Sequence, residues 1–277
     1  MNRDFTEAEL HRYARHIILP EIGGEGQAKL RAAKVLVIGA GGLGTPLLQY
    51  LGAAGVGTLG VVDHDTVALS NLQRQVIHRT ADVGAAKVES ARRALGEINP
   101  EVRVVAHQAR LTPENALALV SDYDIVADGS DNFATRYLLT DACYFAQKTL
   151  VAAAILRFEA QLSTYKPHLG PPHPCYRCVF PEPPPPESVP SCAQAGVLGA
   201  MAGTMGAWQA TEVVKEILGV GESLSGKLLL YDALDARVER LAITRRPDCP
   251  LCGAQPAITS LDSPLAQASY AEVYCGD

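Results

Sequence analysis

Lys34-Val35-Leu36-Val37-Ile38-Gly39-Ala40-Gly41-Gly42-Leu43-Gly44 is the stretch on which the fold turns. Four apolar residues bounded by glycine read as a strand buried on both faces, the habit of parallel sheets. The glycines after it let the backbone approach a phosphate. The helix expected from there to about Ala54 offers free N–H groups at its start. The next strand, Thr58–Val62, ends at Asp63, where a carboxylate meets ribose hydroxyls in dinucleotide-binding folds. Turn and acid together point to a nucleotide, with NAD as the default ligand.

Outward from this stretch the alternation continues. Thr6-Glu7-Ala8-Glu9 has capping-box spacing, and a helix carrying Leu10, Tyr13, Ile17 and Ile18 is expected after it. Val83–Ile98 reads as a helix stopped by Asn99-Pro100. Val102–Ala106, Ile125–Ala127 and Leu150–Ile155 read as strands, with a helix over Asn132–Gln147. The pattern predicts an α/β fold, a Rossmann-type doubly wound and mostly parallel sheet. Phe158–Tyr165, Lys227–Tyr231 and Val238–Ile243 read as further strands, and Ala195–Leu218 as a helix. Pro167–Pro190 is crowded with prolines and reads as a surface loop without helix. Little pattern is visible after Gly253. Three parts are expected: residues 1–155, residues 156–253 with the proline-rich crossover loop, and a tail over 254–277.

The net charge of −6 argues against general nucleic-acid binding or attachment to an anionic membrane. Met1–Glu9 is polar and acidic, without the pattern of a signal peptide. The run Ala193–Thr211 is broken by Gln194 and Gln209 and reads as a core helix, not a membrane span. There are seven cysteines, four of them in two Cys-x-x-Cys pairs. Without a leader these suggest metal binding in a reducing cytoplasm.

Cys175-Tyr176-Arg177-Cys178 and Cys249-Pro250-Leu251-Cys252 can each clamp one side of a tetrahedral Zn²⁺. Four thiolates leave no open position, so such a zinc site is structural. An iron–sulfur cluster or redox pairs are the alternatives. Cys192 precedes the Ala/Gly-rich helix, where a helix N-terminus favours thiolate, although a small packing residue fits there equally well. Cys143 reads as core, His168 and His173 as solvent-facing, and Cys275 is assigned nothing.

Ser70-Asn71-Leu72-Gln73-Arg74-Gln75 follows the second strand, and Lys87 lies beyond it. A triphosphate calls for more positive charge than backbone N–H groups supply, and Arg74 and Lys87 offer it. Taken alone they are ordinary residues for an exposed helix face. Asp131-Asn132 sits just past an interior strand, at the edge where such sheets bind ligands. A carboxylate there suits Mg²⁺, and either residue suits a helix N-cap. Asp128 and Asp131 can divide those roles.

Arg12–Pro20, Gly39–Gly44, Ser70–Gln75, Lys87–Ala91, Asn99-Pro100, Asp131-Asn132 and the two cysteine pairs follow one another in this order. From about Leu10 to Gly253 the chain resembles the bacterial E1-like adenylyltransferases, the MoeB/ThiF/HesA family. The resemblance implies ATP-dependent adenylation of the C-terminal glycine of a small ubiquitin-like sulfur-carrier protein ending in Gly-Gly. Pyrophosphate is released, and the product serves molybdopterin, thiamin or tRNA-thiolation sulfur transfer. It further implies that Gly42, Asp63, Ser70, Asn71, Leu72, Gln73, Arg74, Lys87, Asp131 and Asn132 line the ATP site. Of these, Asp63 would take the ribose, and Asn71, Arg74 and Lys87 the phosphates. Asp131 would hold Mg²⁺, and residues 156–253 would carry the zinc and bind the carrier. Arg15 would reach into a partner subunit's ATP site, which makes a homodimer the expectation. Cys192 would link covalently to the carrier or a sulfur partner, as in some members. No rhodanese-like domain follows the cysteine pairs, so a separate sulfur donor, a cysteine desulfurase or a rhodanese, is expected. The rival readings are an NAD-dependent oxidoreductase, a non-catalytic zinc-stabilised scaffold for a ubiquitin-like partner, and a relative acting on a small-molecule or tRNA-linked carboxylate.

Overall fold

The computed structural model describes residues 5–185 and 195–270. Among them one sheet contains β1 (Lys34–Ile38), β2 (Thr58–Val62), β3 (Arg103–His107), β4 (Ile125–Asp128), β5 (Thr149–Leu156), β6 (Glu159–Tyr165), β7 (Lys227–Asp232) and β8 (Arg237–Ala242). Their order is β3-β2-β1-β4-β5-β6-β7-β8. β3 through β5 are parallel, as expected from the buried apolar runs, and β6, β7 and β8 extend the sheet antiparallel.

The helices are α1 (Glu7–Arg12), α2 (Ala14–Ile17), α3 (Gly23–Ala32), α4 (Gly44–Ala54), α5 (Lys87–Ile98), α6 (Pro113–Ser121), α7 (Phe133–Phe145), α8 (Tyr176–Val179), α9 (Gly199–Leu218) and α10 (Pro264–Tyr270). Strand alternation divides the core between the two faces of the sheet. Val35 and Val37 pack with Leu47, Leu51, Val88 and Met205 on one face, whereas Leu36 and Ile38 pack with Val120, Leu138 and Leu139 on the other. Both faces are therefore dry, which is why the central strands carry no polar alternation. Among the described residues no helix is long and apolar enough to cross a membrane.

The strand order reverses at β1, whose neighbours are β2 on one side and β4 on the other. Such a switch point opens a crevice at the carboxyl ends of the strands. Here the segments after β1 and β4 touch. Gly39 has φ +93°, and a Cβ on it would lie 2.9 Å from the Gly129 carbonyl oxygen. A Cβ on Gly44 would lie 1.8 Å from the Gly39 oxygen, so only glycine lets α4 begin against the turn.

α9 closes the crevice from the second part of the chain. A Cβ on Gly206 would meet the Leu43 carbonyl oxygen at 2.6 Å, and Ala202 Cβ lies 3.3 Å from the Cβ position of Gly42. Gln209, fully buried, donates from Nε2 to the Asp128 and Val151 carbonyls at 2.8 and 2.9 Å. It thereby ties α9 to the end of β4 and to the first part of β5.

Several local expectations are corrected. The N-terminal helix is capped as read, with Thr6 and Glu9 exchanging hydrogen bonds, but it breaks at Tyr13. That ring is buried against Gly55, and its hydroxyl accepts from Asn99 Nδ2 at 2.9 Å. The helix expected from Val83 begins only at Lys87, because Ala85 and Ala86 pair with Thr66 and Val67. The proline-rich stretch contains a 3-10 turn at Pro167–Leu169 and α8. The weakly patterned tail forms α10, packed on α7. Neither α3, with three glycines, nor α6 stands out in the periodicity.

Two glycine-to-alanine changes should act in opposite directions. Gly44→Ala should cost more than about 2 kcal/mol, because backbone must move. Gly96→Ala, with open space around its Cβ position in α5, should stabilise by up to about 1 kcal/mol. Urea denaturation of both variants checks the pair.

Candidate active site and cysteine cluster

Asp63 bonds the turn and the Arg74 stem lies against it. Asp63, at the end of β2, accepts from the Ala40 N–H at 2.8 Å through Oδ2 and from the Asp65 N–H at 2.9 Å through Oδ1. The segment after β2 then coils through a 3-10 turn at Leu69–Asn71, with Asn71 Oδ1 accepting from the Ala68 N–H at 3.1 Å. Ser70, Leu72 and Gln73 belong to this coil, and the Gln73 carbonyl lies against Gly199 at the start of α9. Arg74 donates from Nη1 to the Ser70 carbonyl at 3.1 Å. Its stem passes 3.6 Å from the Cβ position of Gly42.

Lys87 opens α5 with only 6% of its surface exposed. Nζ donates to Asp65 Oδ2 at 2.7 Å. Burial pushes the Asp65 carboxyl up, but the Lys87 ammonium overrides this and holds it below the usual range. Asp65 was not singled out in the sequence, where it is merely the second acid after a strand. Its pairing fixes where the ammonium sits.

Beyond β4, Asp128 and Asp131 differ sharply. Asp128 is fully buried, and its Oδ1 accepts from the Ser130 N–H at 2.9 Å and the Ser130 hydroxyl at 2.6 Å. Arg136 Nε lies 3.6 Å from its Oδ2. Asp131 is exposed. The N-cap of α7 is Asn132, whose Oδ1 accepts from the Thr135 N–H at 2.8 Å. Arg15 is exposed on α2, and no hydrogen bond or ion pair joins it to these groups among the described residues. Cys192 lies outside the described residues, as does Cys275. Cys143 is buried in α7, as expected.

Residues 13–251 match the ThiF family. The chain belongs to the ThiF family. It is 50% identical, over 98% of both chains, to a sulfur carrier protein adenylyltransferase of Thermus thermophilus. It is 56% identical to the adenylyltransferase and sulfurtransferase MOCS3 of Bos taurus, over 92% of this chain and 56% of that one. The chain thus spans just over half the length of its MOCS3 relatives. A crystal structure of Escherichia coli MccB with ATP superposes with TM-score 0.76 at 23% identity, covering 87% of this chain and 74% of that one, and shares the fold. The 50% identity over 98% of both chains makes this chain an adenylyltransferase.

In this ThiF-family enzyme the two cysteine pairs converge. Sγ of Cys175 lies 3.7 Å from Cys178, 3.4 Å from Cys249 and 3.4 Å from Cys252, and Cys178 lies 3.5 Å from Cys252. Thiolates at the usual 2.3 Å from a tetrahedral zinc stand about 3.8 Å apart. All four cysteines are buried. The Arg246 N–H donates to Cys178 Sγ at 3.4 Å, and the Cys252 N–H to Cys249 Sγ at 3.5 Å. Such donors stabilise thiolate, and the sulfur tetrad with them fits a bound metal ion.

Arg177, between the first two cysteines, ties this cluster to the rest of the enzyme. Its guanidinium is fully buried and grips Asp141 of α7 with two bonds of 2.8 and 2.7 Å. It also donates to Ser269 Oγ at 3.1 Å and lies 4.7 Å above the Tyr137 ring. Tyr270 donates its hydroxyl to Asp141 at 2.7 Å, closing the network through α10.

Asp141→Ala leaves the Arg177 charge buried without its partner and should cost about 3–5 kcal/mol. The double variant Asp141→Leu with Arg177→Met should recover most of that loss in the same denaturation experiment.

Proposed function

We propose that this enzyme adenylates the C-terminal glycine carboxylate of a small ubiquitin-like sulfur-carrier protein ending in Gly-Gly. The carrying observation is the meeting of Arg74 with Gly42 at the switch point, with Asp63, Lys87 and Asp131 on the segments around it. A carboxylate is a poor acyl donor because oxide would have to leave. One carboxylate oxygen attacks the α-phosphorus of ATP, the bond from that phosphorus to the bridging oxygen breaks, and pyrophosphate departs in line. The protein's part is positioning and charge neutralisation.

In this reading the Asp63 carboxylate receives the ribose hydroxyls, and Gly42 lets the nucleotide approach the backbone. Ser70, Asn71, Leu72 and Gln73 form the wall from which Arg74 reaches the phosphates. Lys87 presents its ammonium from the first turn of α5, steadied by Asp65. Asp131, exposed at the strand edge beside Asn132, is the residue to hold Mg²⁺. The ion supplies charge neutralisation across the phosphates. Arg15, free of the site within its own chain, serves the site of a second copy in a homodimer. Cys192 is the candidate for a covalent link to the carrier during sulfur transfer. The sulfur comes from a donor such as a cysteine desulfurase or a rhodanese, and the thiocarboxylate feeds molybdopterin, thiamin or tRNA-thiolation chemistry. Cys175, Cys178, Cys249 and Cys252 bind Zn²⁺ structurally, and four free thiols gathered in this way suit a reducing cytoplasm.

ATP–pyrophosphate exchange with purified Gly-Gly-ended carriers, one at a time, tests the activity. Exchange should appear with at least one carrier and be lost by about 10²-fold or more in Asp131→Asn and in Arg74→Ala, with the melting transition retained. Wild-type exchange in either variant removes that residue from the mechanism. Absence of carrier-dependent exchange in the wild type removes the reading itself.

Metal analysis of enzyme purified without chelator should find about one zinc per chain. Cys249→Ser should lose that zinc and lower the melting temperature, whereas Cys143→Ser should keep the zinc.

A further inference from the structure

His78 lies four residues past Arg74 and is 6% exposed, in a buried chain that ends on the glycine turn. Its Nε2 is 3.0 Å from the Ala40 carbonyl oxygen, and its Nδ1 is 2.8 Å from Ser90 Oγ of α5. Ser90 in turn donates to Asp82 Oδ2 at 2.7 Å. Asp82 also accepts from the Arg79 N–H at 2.9 Å and pairs with Arg93. Ala40 is therefore gripped twice: its N–H by Asp63 and its carbonyl by His78.

The hydrogens in this chain can be counted. A carbonyl oxygen only accepts, so Nε2 must carry a hydrogen. Asp82, flanked by Arg93, the Arg79 amide and Ser90, is held ionised: burial pushes its carboxyl up, but these donors bring it below the usual range. It too only accepts, so the single hydroxyl hydrogen of Ser90 goes to Asp82. The Ser90 oxygen then needs a hydrogen from Nδ1. All three contacts are satisfied together only when the ring bears both hydrogens. A neutral ring leaves one lone pair facing another.

Burial and the Lys87 ammonium oppose that charge and push the His78 pKa below its ordinary value, while the Ala40 carbonyl, Asp82 and Asp63 favour it. A nucleotide phosphate in the turn adds negative charge nearby, which favours the cation. We propose that His78 is a positioning residue whose second proton completes this chain, and that binding of the magnesium nucleotide is coupled to uptake of a proton from solvent at its Nδ1. The proposal rests on the reading of the glycine turn as the nucleotide site. By reciprocity, nucleotide affinity weakens as pH rises through the window between the free and bound pKa values, by at most about tenfold per pH unit.

Calorimetric titration of Mg·ATP into the full chain, with excess Mg²⁺ at about pH 7, in PIPES, HEPES and Tris, tests this. The observed heat should vary with buffer ionisation enthalpy, corresponding to uptake of up to about one proton per nucleotide bound. His78→Gln keeps a donor for Ala40 but cannot titrate. It should bind more weakly, with the buffer dependence abolished. A wild-type slope of zero, or the same slope in His78→Gln, overturns the proposal. Wild-type enzyme that binds no Mg·ATP overturns instead the nucleotide reading on which it rests. Should His78→Gln fail to fold, nitrogen-15 spectra of the wild-type ring decide. Two protonated nitrogens in the nucleotide complex against one in the free enzyme support the proposal, and the same state in both sinks it.

Discussion

Everything at the switch point depends on the closeness of backbone to backbone between the segments after β1 and β4. Gly39, Gly44 and Gly129 meet at distances where a methyl group would strike a carbonyl or an amide. That contact brings the start of α4 and the loop bearing Asp131 to the same crevice. It also leaves the Ala40 peptide accessible to Asp63 on one side and His78 on the other. Were the turn held open by one side chain, the segments after β1 and β4 would be pushed apart.

The fold was largely legible in the sequence because its signals are local. Val35–Ile38 announces a buried strand by composition alone, and the glycines after it announce a tight turn by their lack of side chains. The two cysteine pairs likewise signal a tetrahedral site by spacing and thiol chemistry. Gly42 and Arg74 were each assigned to a nucleotide site, and the Arg74 stem lies 3.6 Å from the Cβ position of Gly42. Arg15 and Cys192 gain no such geometry, the first lying apart within its own chain and the second outside the described residues.

What escaped the sequence is the product of contacts between distant residues. Arg177 reads as a polar residue inside a metal knuckle, yet its charge is buried against Asp141, and Tyr270 reaches the same carboxylate from the far end of the chain. No periodicity encodes such a triad. The same holds for Lys87 with Asp65 and for His78 with Ala40 and Ser90, where partners come from loops without regular repeats. The break at Tyr13 has a similar origin, since a continuous helical pattern yields to one ring seeking a buried amide. Local propensity is a weak prior wherever tertiary partners offer more.

Gln209 and the small residues of α9 give the chain a property of a different kind. The β5–β6 hairpin pairs from Leu150 with Tyr165 to Leu156 with Glu159, and α9 returns to bond the end of β4 and Val151 of β5 through the Gln209 side-chain amide. Where α9 crosses the start of α4, Gly206 fits against Pro46 and the Leu43 carbonyl with no room for a side chain. Packing at this seam leaves no room for growth: a methyl group at position 206 would lie 2.6 Å from the Leu43 carbonyl oxygen, so added bulk on α9 has to be answered by movement of α4.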